Sequence, residues 1–216
     1  MFEDFKYRLF KSFLIALFLI FVCYVLFFYS SYTYGDTSST YDKAFEYTLK
    51  NEGGLNQNKY DVGGITKFGI SLAFLKAEKI DINLDGIVNK DDVIILDRNH
   101  AHRLYKKYFW NKLKLDLIHD KELATRIFDS AINIGSTTVV LLIQKTLFCF
   151  GNEHEEDLKL DGIMGPKTIY SINHINRQSM FKNVLVSSLK YHYVNLCNKN
   201  PKLRVFFCGW IKRISR

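Results

Sequence analysis

Asn51-Glu-Gly-Gly-Leu-Asn-Gln-Asn-Lys-Tyr-Asp-Val-Gly-Gly-Ile-Thr-Lys-Phe-Gly-Ile70 is the stretch from which the rest of this chain can be interpreted. It carries two carboxylates, Glu52 and Asp61, and the hydroxyl group of Thr66 within fifteen residues. Five glycines interrupt it, and glycine lets a backbone adopt positive φ angles and approach a ligand closely. The residues after the first glycine pair alternate as in a small β-hairpin, for which residues 61–64 are suitable turn material.

Glu52 has the sequence context of a helix C-terminus. The preceding run from residue 41 to residue 51 is helix-like, and Gly53 is placed to adopt the left-handed conformation of a C-cap. This end of a helix carries partial negative charge, which disfavours an ionised carboxylate. We therefore expect Glu52 to hold its proton more tightly than usual, as a general acid working near neutral pH must. The alternative is a surface glutamate that precedes a capping glycine.

The order of residues in this stretch resembles the signature of glycoside hydrolase family 108, a family of muramidases. The family motif is Glu-Gly-Gly, a turn that contains Asp, and Gly-Gly-x-Thr-x-x-Gly-Ile, which residues 52–54 and 61–70 match. Val62 stands where the family usually has proline. The resemblance implies a lysozyme-like, mainly helical α+β fold, in which a helical bundle carries a small β-hairpin at the active site. It also implies three catalytic residues in the order found in phage lysozymes: Glu52, Asp61 and Thr66.

Two further segments extend the resemblance and supply candidate substrate-binding residues. Residues 101–110 are similar to an aromatic segment of the family, and residues 128–135 to its Phe-Asp-x-Ala-x-Asn-x-Gly motif. Asp129 and Asn133 are four residues apart on one helix face, so they are candidates to line a saccharide groove; the alternative is hydrogen bonding that holds the hairpin. The candidates for stacking on sugar rings are Tyr105, Tyr108 and Trp110, and the alternative for each is packing in the core.

The C-terminal part of the chain carries a motif typical of wall-binding modules. Leu160-Asp-Gly-Ile-Met-Gly-Pro-Lys-Thr-Ile169 resembles the Asp-Gly-x-x-Gly-Pro-x-Thr core of peptidoglycan-binding modules, and Gly209-Trp-Ile-Lys-Arg213 resembles the family's terminal motif. The resemblance covers residues 41–213 and implies three parts. These are an N-terminal anchor or signal with its linker (1–35), a catalytic part (36–123), and a helical peptidoglycan-binding part packed on it (124–216).

Residues 81–92 have the pattern of a calcium-binding EF-hand loop. Oxygen-bearing side chains occupy loop positions 1, 3 and 5, glycine occupies position 6, and a carboxylate occupies position 12. Position 12 is Asp rather than the usual Glu, and the shorter side chain makes bidentate binding harder. We expect one structural Ca²⁺ and no cofactor for catalysis; the alternative is an acidic turn without metal. The candidate ligands are Asp81, Asn83, Asp85, the main-chain carbonyl of Ile87, Asn89 and Asp92.

The N-terminus has the pattern of a transmembrane anchor or a signal helix. Residues 13–29 form an uncharged apolar run of seventeen residues, which follows Lys6, Arg8 and Lys11. The length favours an anchor in the inner membrane, and the preceding positive charges place the remainder of the chain outside the cytoplasm. We expect the catalytic part on the periplasmic side of that membrane, or secreted if the segment is cleaved.

The overall composition fits an exported globular protein with an anionic partner. The 216 residues include 30 basic and 22 acidic side chains, a net charge of +8. Because no zinc-finger spacing or nucleic-acid-binding motif is present, we expect the partner to be peptidoglycan rather than nucleic acid. The four cysteines lack C-x-x-C spacing, and Cys197 and Cys208 either pair or remain buried thiols. We expect a monomer.

These features together predict an exported peptidoglycan hydrolase, a lysozyme that cleaves the β-1,4 bond between N-acetylmuramic acid and N-acetylglucosamine. Glu52 is expected to protonate the leaving oxygen, while Asp61 and Thr66 position water or stabilise the positive charge on the sugar. Two alternatives stay open: a lytic transglycosylase with Glu52 as its acid, and a peptidoglycan-binding protein without activity. Inversion versus retention also stays open, as does the setting: phage lysis as an endolysin, secretion, or wall remodelling.

Overall fold

The architecture is mainly helical, as the sequence predicts. A computed structural model describes residues 39–52, 65–150 and 158–215. The helices before residue 135 are α1 (Thr40–Glu52), α2 (Leu72–Ala77), α3 (Lys90–Ile95), α4 (Arg98–Tyr105) and α5 (Lys121–Ile134). The later helices are α6 (Ser136–Phe148), α7 (Pro166–Asn173), α8 (Gln178–Lys199) and α9 (Arg204–Ile214). A π-helical turn (Lys106–Asn111) extends α4, and short 3₁₀ helices span Leu115–Leu117 and Pro201–Leu203.

A two-stranded antiparallel hairpin follows the glycine-rich stretch. Its strands are β1 (Thr66–Lys67) and β2 (Ile70–Ser71). Phe68 and Gly69 form the turn with φ angles of 53° and 75°, the pattern of a two-residue type I′ turn. The sequence did not predict this turn, because a phenylalanine takes one of the two positive-φ positions and does not look like turn material. The predicted turn at 61–64 lies outside the described residues.

Hydrogen bonds from three directions hold the hairpin against the helices. The Tyr105 hydroxyl donates to the carbonyl of Phe68 at 2.6 Å, which fixes the turn residue that would otherwise avoid a positive φ. The Lys67 ammonium donates to the carbonyl of Ile94 at 2.6 Å, and the amide that begins α2 donates to the carbonyl of Ile65 at 3.1 Å. The hairpin is therefore a fixed element at the end of the glycine-rich stretch at residues 51–70.

A break in the chain separates α3 from α4. Leu96 has an extended ψ angle of 133° and is buried, so the chain turns inward there. Asp97 then begins α4: its carboxylate accepts from the amide of His100 at 2.7 Å, as in a capping box. The capping aspartate is a start signal that the apolar periodicity obscures.

An aromatic cluster packs at the start of α1. Tyr41, Trp110 and Phe128 are all fully buried, and their ring centroids lie 5.3–5.7 Å apart in edge-to-face pairs. Such pairs add roughly 0.5–1.5 kcal/mol each beyond the area that they bury. Burial, helped by the neighbouring Asp42 carboxylate, raises the pKa of the Tyr41 phenol above its ordinary value. These contacts fix the first turns of α1.

The helices after residue 135 share one core with the helices before it. α8 buries one face, formed by residues spaced four apart, and it packs on α6. The residues of this face are Phe181, Leu185, Leu189, Tyr193 and Cys197. Thr40–Arg216 forms one compact unit, and the expected boundary between residues 123 and 124 falls inside α5. Cys197 and Cys208 are free thiols.

The predicted membrane anchor or signal helix falls in residues 1–38, which lie outside the described residues. Within residues 39–52, 65–150 and 158–215, no helix combines the length and the apolar character that a bilayer span requires.

Candidate active site

The two ends of the glycine-rich stretch at residues 51–70 lie on fixed elements. Glu52 is the last residue of α1, the C-terminal position that the sequence predicts. Thr66 begins β1 and is half-buried opposite Ser71. The side chain of Glu52 and the whole of Asp61 lie outside the described part of the chain. The core therefore positions the helix end from one side and the hairpin from the other, which is the framework that a preorganised site needs.

Asp129 is almost completely buried, and its carboxylate binds other side chains. The residue is 4% exposed, and both of its oxygens accept from Arg213 of α9 at 2.8 Å. One of the oxygens also accepts from the hydroxyl of Thr48 in α1 at 3.0 Å. The predicted role in a saccharide groove is therefore wrong for Asp129, because both of its oxygens already have partners within the protein. The alternative, hydrogen bonding that holds the hairpin, is also wrong for Asp129, because these bonds hold α1 and α9 instead.

Asn133 contributes to its own helix. It is half-buried, and its side-chain amide donates to the main-chain carbonyl of Asp129 at 2.9 Å. The two residues therefore contact each other, as their spacing of four predicts, but through the backbone of α5 rather than as a pair of side chains facing a ligand.

Of the three aromatic candidates, two belong to the core. Tyr105 and Trp110 are almost completely buried, and the Trp110 indole N–H donates to Asp116 at 2.9 Å. A buried ring cannot stack on a sugar, so packing is the role that these two residues perform. Tyr108 keeps exposed surface while its ring packs edge-to-face on Phe74 at 5.6 Å. It is the candidate of the three that remains available to a saccharide.

The oxygens of the EF-hand-like loop bind the loop's own backbone. Asp81 accepts from the amides of Leu84 and Gly86, each at 2.7 Å. Asp92 is fully buried and accepts from the amides of Ile82 and Asn89, each at 2.7 Å. Burial alone would raise the pKa of Asp92, but these amides hold it below its ordinary value.

The loop therefore meets only some of the requirements of a calcium site. Asp92 occupies position 12, where an EF-hand supplies a bidentate carboxylate, but here both of its oxygens bind backbone amides. Asn83 and Asp85 are hydrogen-bonded to each other at 2.9 Å. Within the described ranges, no three His, Cys, Asp or Glu side chains are grouped as metal ligands. Calcium binding by this loop stays a prediction.

The wall-binding motif is organised by a residue that sequence reasoning missed. Gln144 is buried in α6; its amide nitrogen donates to Asp161 at 2.9 Å, and its oxygen accepts from the amide of Gly162 at 2.8 Å. The bond from Gln144, together with one from the amide of Ile163, holds the pKa of Asp161 below its ordinary value. A cavity of about 370 Å³ borders this loop, with Lys159 and other motif residues in its lining. The available signal was a glutamine that follows five consecutive apolar residues in α6.

Comparisons with known proteins agree with this organisation. Residues 45–135 match the family model described as Glycosyl hydrolase 108, and residues 138–215 match the model described as Predicted Peptidoglycan domain. No curated protein matches the chain. Among solved structures, the chain is similar to that of Brucella abortus SagA, with a TM-score of 0.65 and 26% identity over 82% of this chain and 90% of that chain.

These matches confirm the predicted family and the predicted lysozyme-like α+β class. The two family models meet between residues 135 and 138, at the short connection from α5 to α6. Residues 45–135 of this chain are a glycosyl hydrolase 108 domain, and residues 138–215 are a predicted peptidoglycan domain that follows it directly.

Proposed function

We propose that this chain is an N-acetylmuramidase, which hydrolyses the β-1,4 bond between N-acetylmuramic acid and N-acetylglucosamine in peptidoglycan. The observation that carries the proposal is the position of Glu52. It ends α1 inside a glycosyl hydrolase 108 domain that shares one compact unit with a peptidoglycan domain. The negative end of the α1 dipole favours the protonated form of a glutamate, which is the form that a general acid requires.

In this proposal Glu52 donates its proton to the glycosidic oxygen as the bond from that oxygen to the sugar breaks. The departing sugar leaves as an alcohol, and positive charge develops on the remaining ring. Asp61 stabilises that charge or activates the incoming water, and the hydroxyl of Thr66 orients the water. The anchored hairpin supports this role for Thr66, because a fixed strand holds a hydroxyl group more accurately than a free loop does.

The proposal places the enzyme outside the cytoplasm. The apolar run at 13–29, with basic residues before it, serves as an inner-membrane anchor that leaves the two domains on the periplasmic side, or as a cleaved signal. The net charge of +8 supports association with an anionic wall. Fractionation of producing cells tests this placement: the chain is expected with the membrane or outside it, and a full-length cytoplasmic chain would contradict it.

The role of Glu52 is tested with two substitutions in the same helix. The full chain, purified in mild detergent, is assayed for release of dye-labelled fragments from isolated peptidoglycan. Glu52→Gln is expected to lower kcat/KM at least about 100-fold, the usual contribution of a general acid. Glu46→Gln is the matched control: Glu46 is a partly exposed glutamate of α1 whose ion pair with Arg98 is on the surface. It is expected to retain activity.

Each outcome of that assay has a defined meaning. Equal activity of Glu52→Gln and wild type would refute the assignment of Glu52. Binding to peptidoglycan without release by the wild type would refute the enzyme and favour a wall-binding protein. Substitutions Asp61→Asn and Thr66→Ala are expected to lower kcat with little change in KM, because both side chains are proposed to act on the water or the transition state.

A further inference from the structure

A buried ion pair joins the two domains behind α1. Asp129 belongs to the glycosyl hydrolase domain, and Arg213 belongs to the peptidoglycan domain 84 residues later. The guanidinium donates through two nitrogens, one to each carboxylate oxygen, both at 2.8 Å. The side chains are 10% and 5% exposed, so the pair lies almost entirely out of water. A bidentate pair of this kind is specific in geometry as well as strong.

The same carboxylate holds the last turns of α1. The hydroxyl of Thr48, which is fully buried, donates to Asp129 at 3.0 Å. Thr48 precedes Glu52 by four residues, so the two share a helix face, separated by a rise of about 6 Å. A continuous series of contacts therefore runs from Arg213 in the peptidoglycan domain through Asp129 to the helix turn that ends in Glu52.

We propose that Arg213 is a positioning residue for the glycosyl hydrolase domain. It holds the buried Asp129 carboxylate in place, so that this carboxylate binds Thr48 and fixes the end of α1. The inference rests on the proposed role of Glu52 as the acid. A buried carboxylate that loses its partner cation moves toward water, and this movement weakens its bond to Thr48.

Several other charged groups near α1 have partners of their own. Glu122 of α5 binds Lys182 at 3.0 Å, and Arg126 donates to the carbonyl of Ile214 at 2.7 Å. Both residues line a cavity of about 190 Å³ that Tyr47, Asp129 and Arg213 also line. On the α4 side, His102 contacts Asp42 at 2.9 Å near the other end of α1. Lys50 and Lys43 complete the cations of the helix. The substitutions below leave all of these groups unchanged.

The test compares Arg213→Gln, Arg213→Lys and Asp129→Asn with Lys212→Gln, the exposed neighbour in α9. The full chain is assayed on peptidoglycan at a temperature at which thermal melts show each variant folded. We expect Arg213→Gln to lower kcat about 10-fold with KM within about twofold, Arg213→Lys to recover part of that loss, and Lys212→Gln to match wild type. Asp129→Asn is expected to lower kcat in the same way as Arg213→Gln, because it also removes the ion pair.

The inference fails if folded Arg213→Gln has the kcat of wild type, or if Lys212→Gln loses as much activity as Arg213→Gln does. Should Arg213→Gln not fold, Thr48→Val tests the same link from the α1 side, since it removes the donor with little change in volume. A lowered kcat in folded Thr48→Val supports the inference, and a wild-type kcat overturns it. Activity that survives Glu52→Gln would instead refute the assignment of Glu52, and peptidoglycan left uncut by the wild type would refute the proposed function itself.

Discussion

Alanine at Gly162 is expected to destabilise the peptidoglycan domain for two separable reasons. Gly162 has a φ angle of 72°, and an added Cβ would lie 2.6 Å from the side-chain methyl of Thr137 and 3.2 Å from Leu141 Cγ. A left-handed conformation costs a non-glycine residue roughly 1–2 kcal/mol. Overpacking costs about 1–3 kcal/mol more, because the β-branched Thr137 has little freedom to rotate away. Stiffening of the unfolded chain returns about 0.4–1 kcal/mol.

The expected net loss is roughly 2–4 kcal/mol in the free energy of unfolding. Two matched substitutions separate the causes. Gly86→Ala has a φ angle of 87° and no atom within 4 Å of the added Cβ, so it reports backbone strain alone and is expected to cost about 1 kcal/mol. Gly165→Ala has an ordinary φ of −86° and its nearest neighbour at 4.0 Å, so its cost is expected below about 1 kcal/mol.

The assay is urea unfolding of the full chain in EDTA, followed by circular dichroism. Thr137→Ser removes the nearest methyl group, so adding it to Gly162→Ala is expected to recover about a third or more of the loss, as coupled neighbours do. If Gly162→Ala costs no more than Gly86→Ala, or if Thr137→Ser recovers nothing, the packing of the wall-binding loop against α6 described above is wrong.

Three further predictions concern the loop at 81–92 and the exposed aromatic residue Tyr108. Asp92→Asn is expected to lower the free energy of unfolding by about 2–3 kcal/mol at pH 7, against less than about 0.5 kcal/mol for the exposed Asp91→Asn. Because the folded pKa of Asp92 is lowered, the stabilisation by its carboxylate is present above pH ~4 and is lost below it. Unfolding curves should therefore show a smaller difference between Asp92→Asn and wild type at pH 3 than at pH 7. Calcium at 1 mM (roughly 10-fold above a weak site's Kd) is expected to raise the Tm of the EDTA-treated chain by about 3–6 °C, whereas magnesium at that concentration should raise it less. Tyr108→Ala is expected to raise KM for peptidoglycan about 5-fold with kcat preserved, as loss of one stacking contact should.

Each of these has a contrary result. If the free energies of unfolding of Asp92→Asn and wild type differ as much at pH 3 as at pH 7, the ionised carboxylate is not the stabilising form. A Tm that is the same in EDTA and calcium would remove the metal from the loop. An unchanged KM in Tyr108→Ala would place the saccharide elsewhere on the surface.

Features that depend on neighbours in sequence were predictable. The end of α1 at Glu52 follows from a helix-like run and a glycine pair, and the start of α7 follows from Pro166 at its first turn. The wall-binding motif was recognisable for the same reason, since its glycines and proline shape a local loop. Such signals do not require knowledge of what packs against them.

Features that depend on distant partners were not predictable from one sequence. Asp129 looked like a groove residue because its partner Arg213 is 84 residues away, and an unpaired acid on a helix face has the same local pattern as a paired one. The turn at Phe68 was missed because its positive φ is held by Tyr105 from another helix. Tyr105 and Trp110 have the composition of a sugar-stacking surface, and only the tertiary packing shows that they belong to the core.

The central claim is that the chain hydrolyses the bond after N-acetylmuramic acid, and the identity of the new glycan ends tests it most directly. Isolated peptidoglycan is digested with the full wild-type chain, reduced with borohydride and analysed by mass spectrometry. The account predicts muropeptides whose new ends are N-acetylmuramic acid that has gained water and is reducible. Ends that are 1,6-anhydro sugars, reducible N-acetylglucosamine ends, or peptidoglycan left uncut would contradict it.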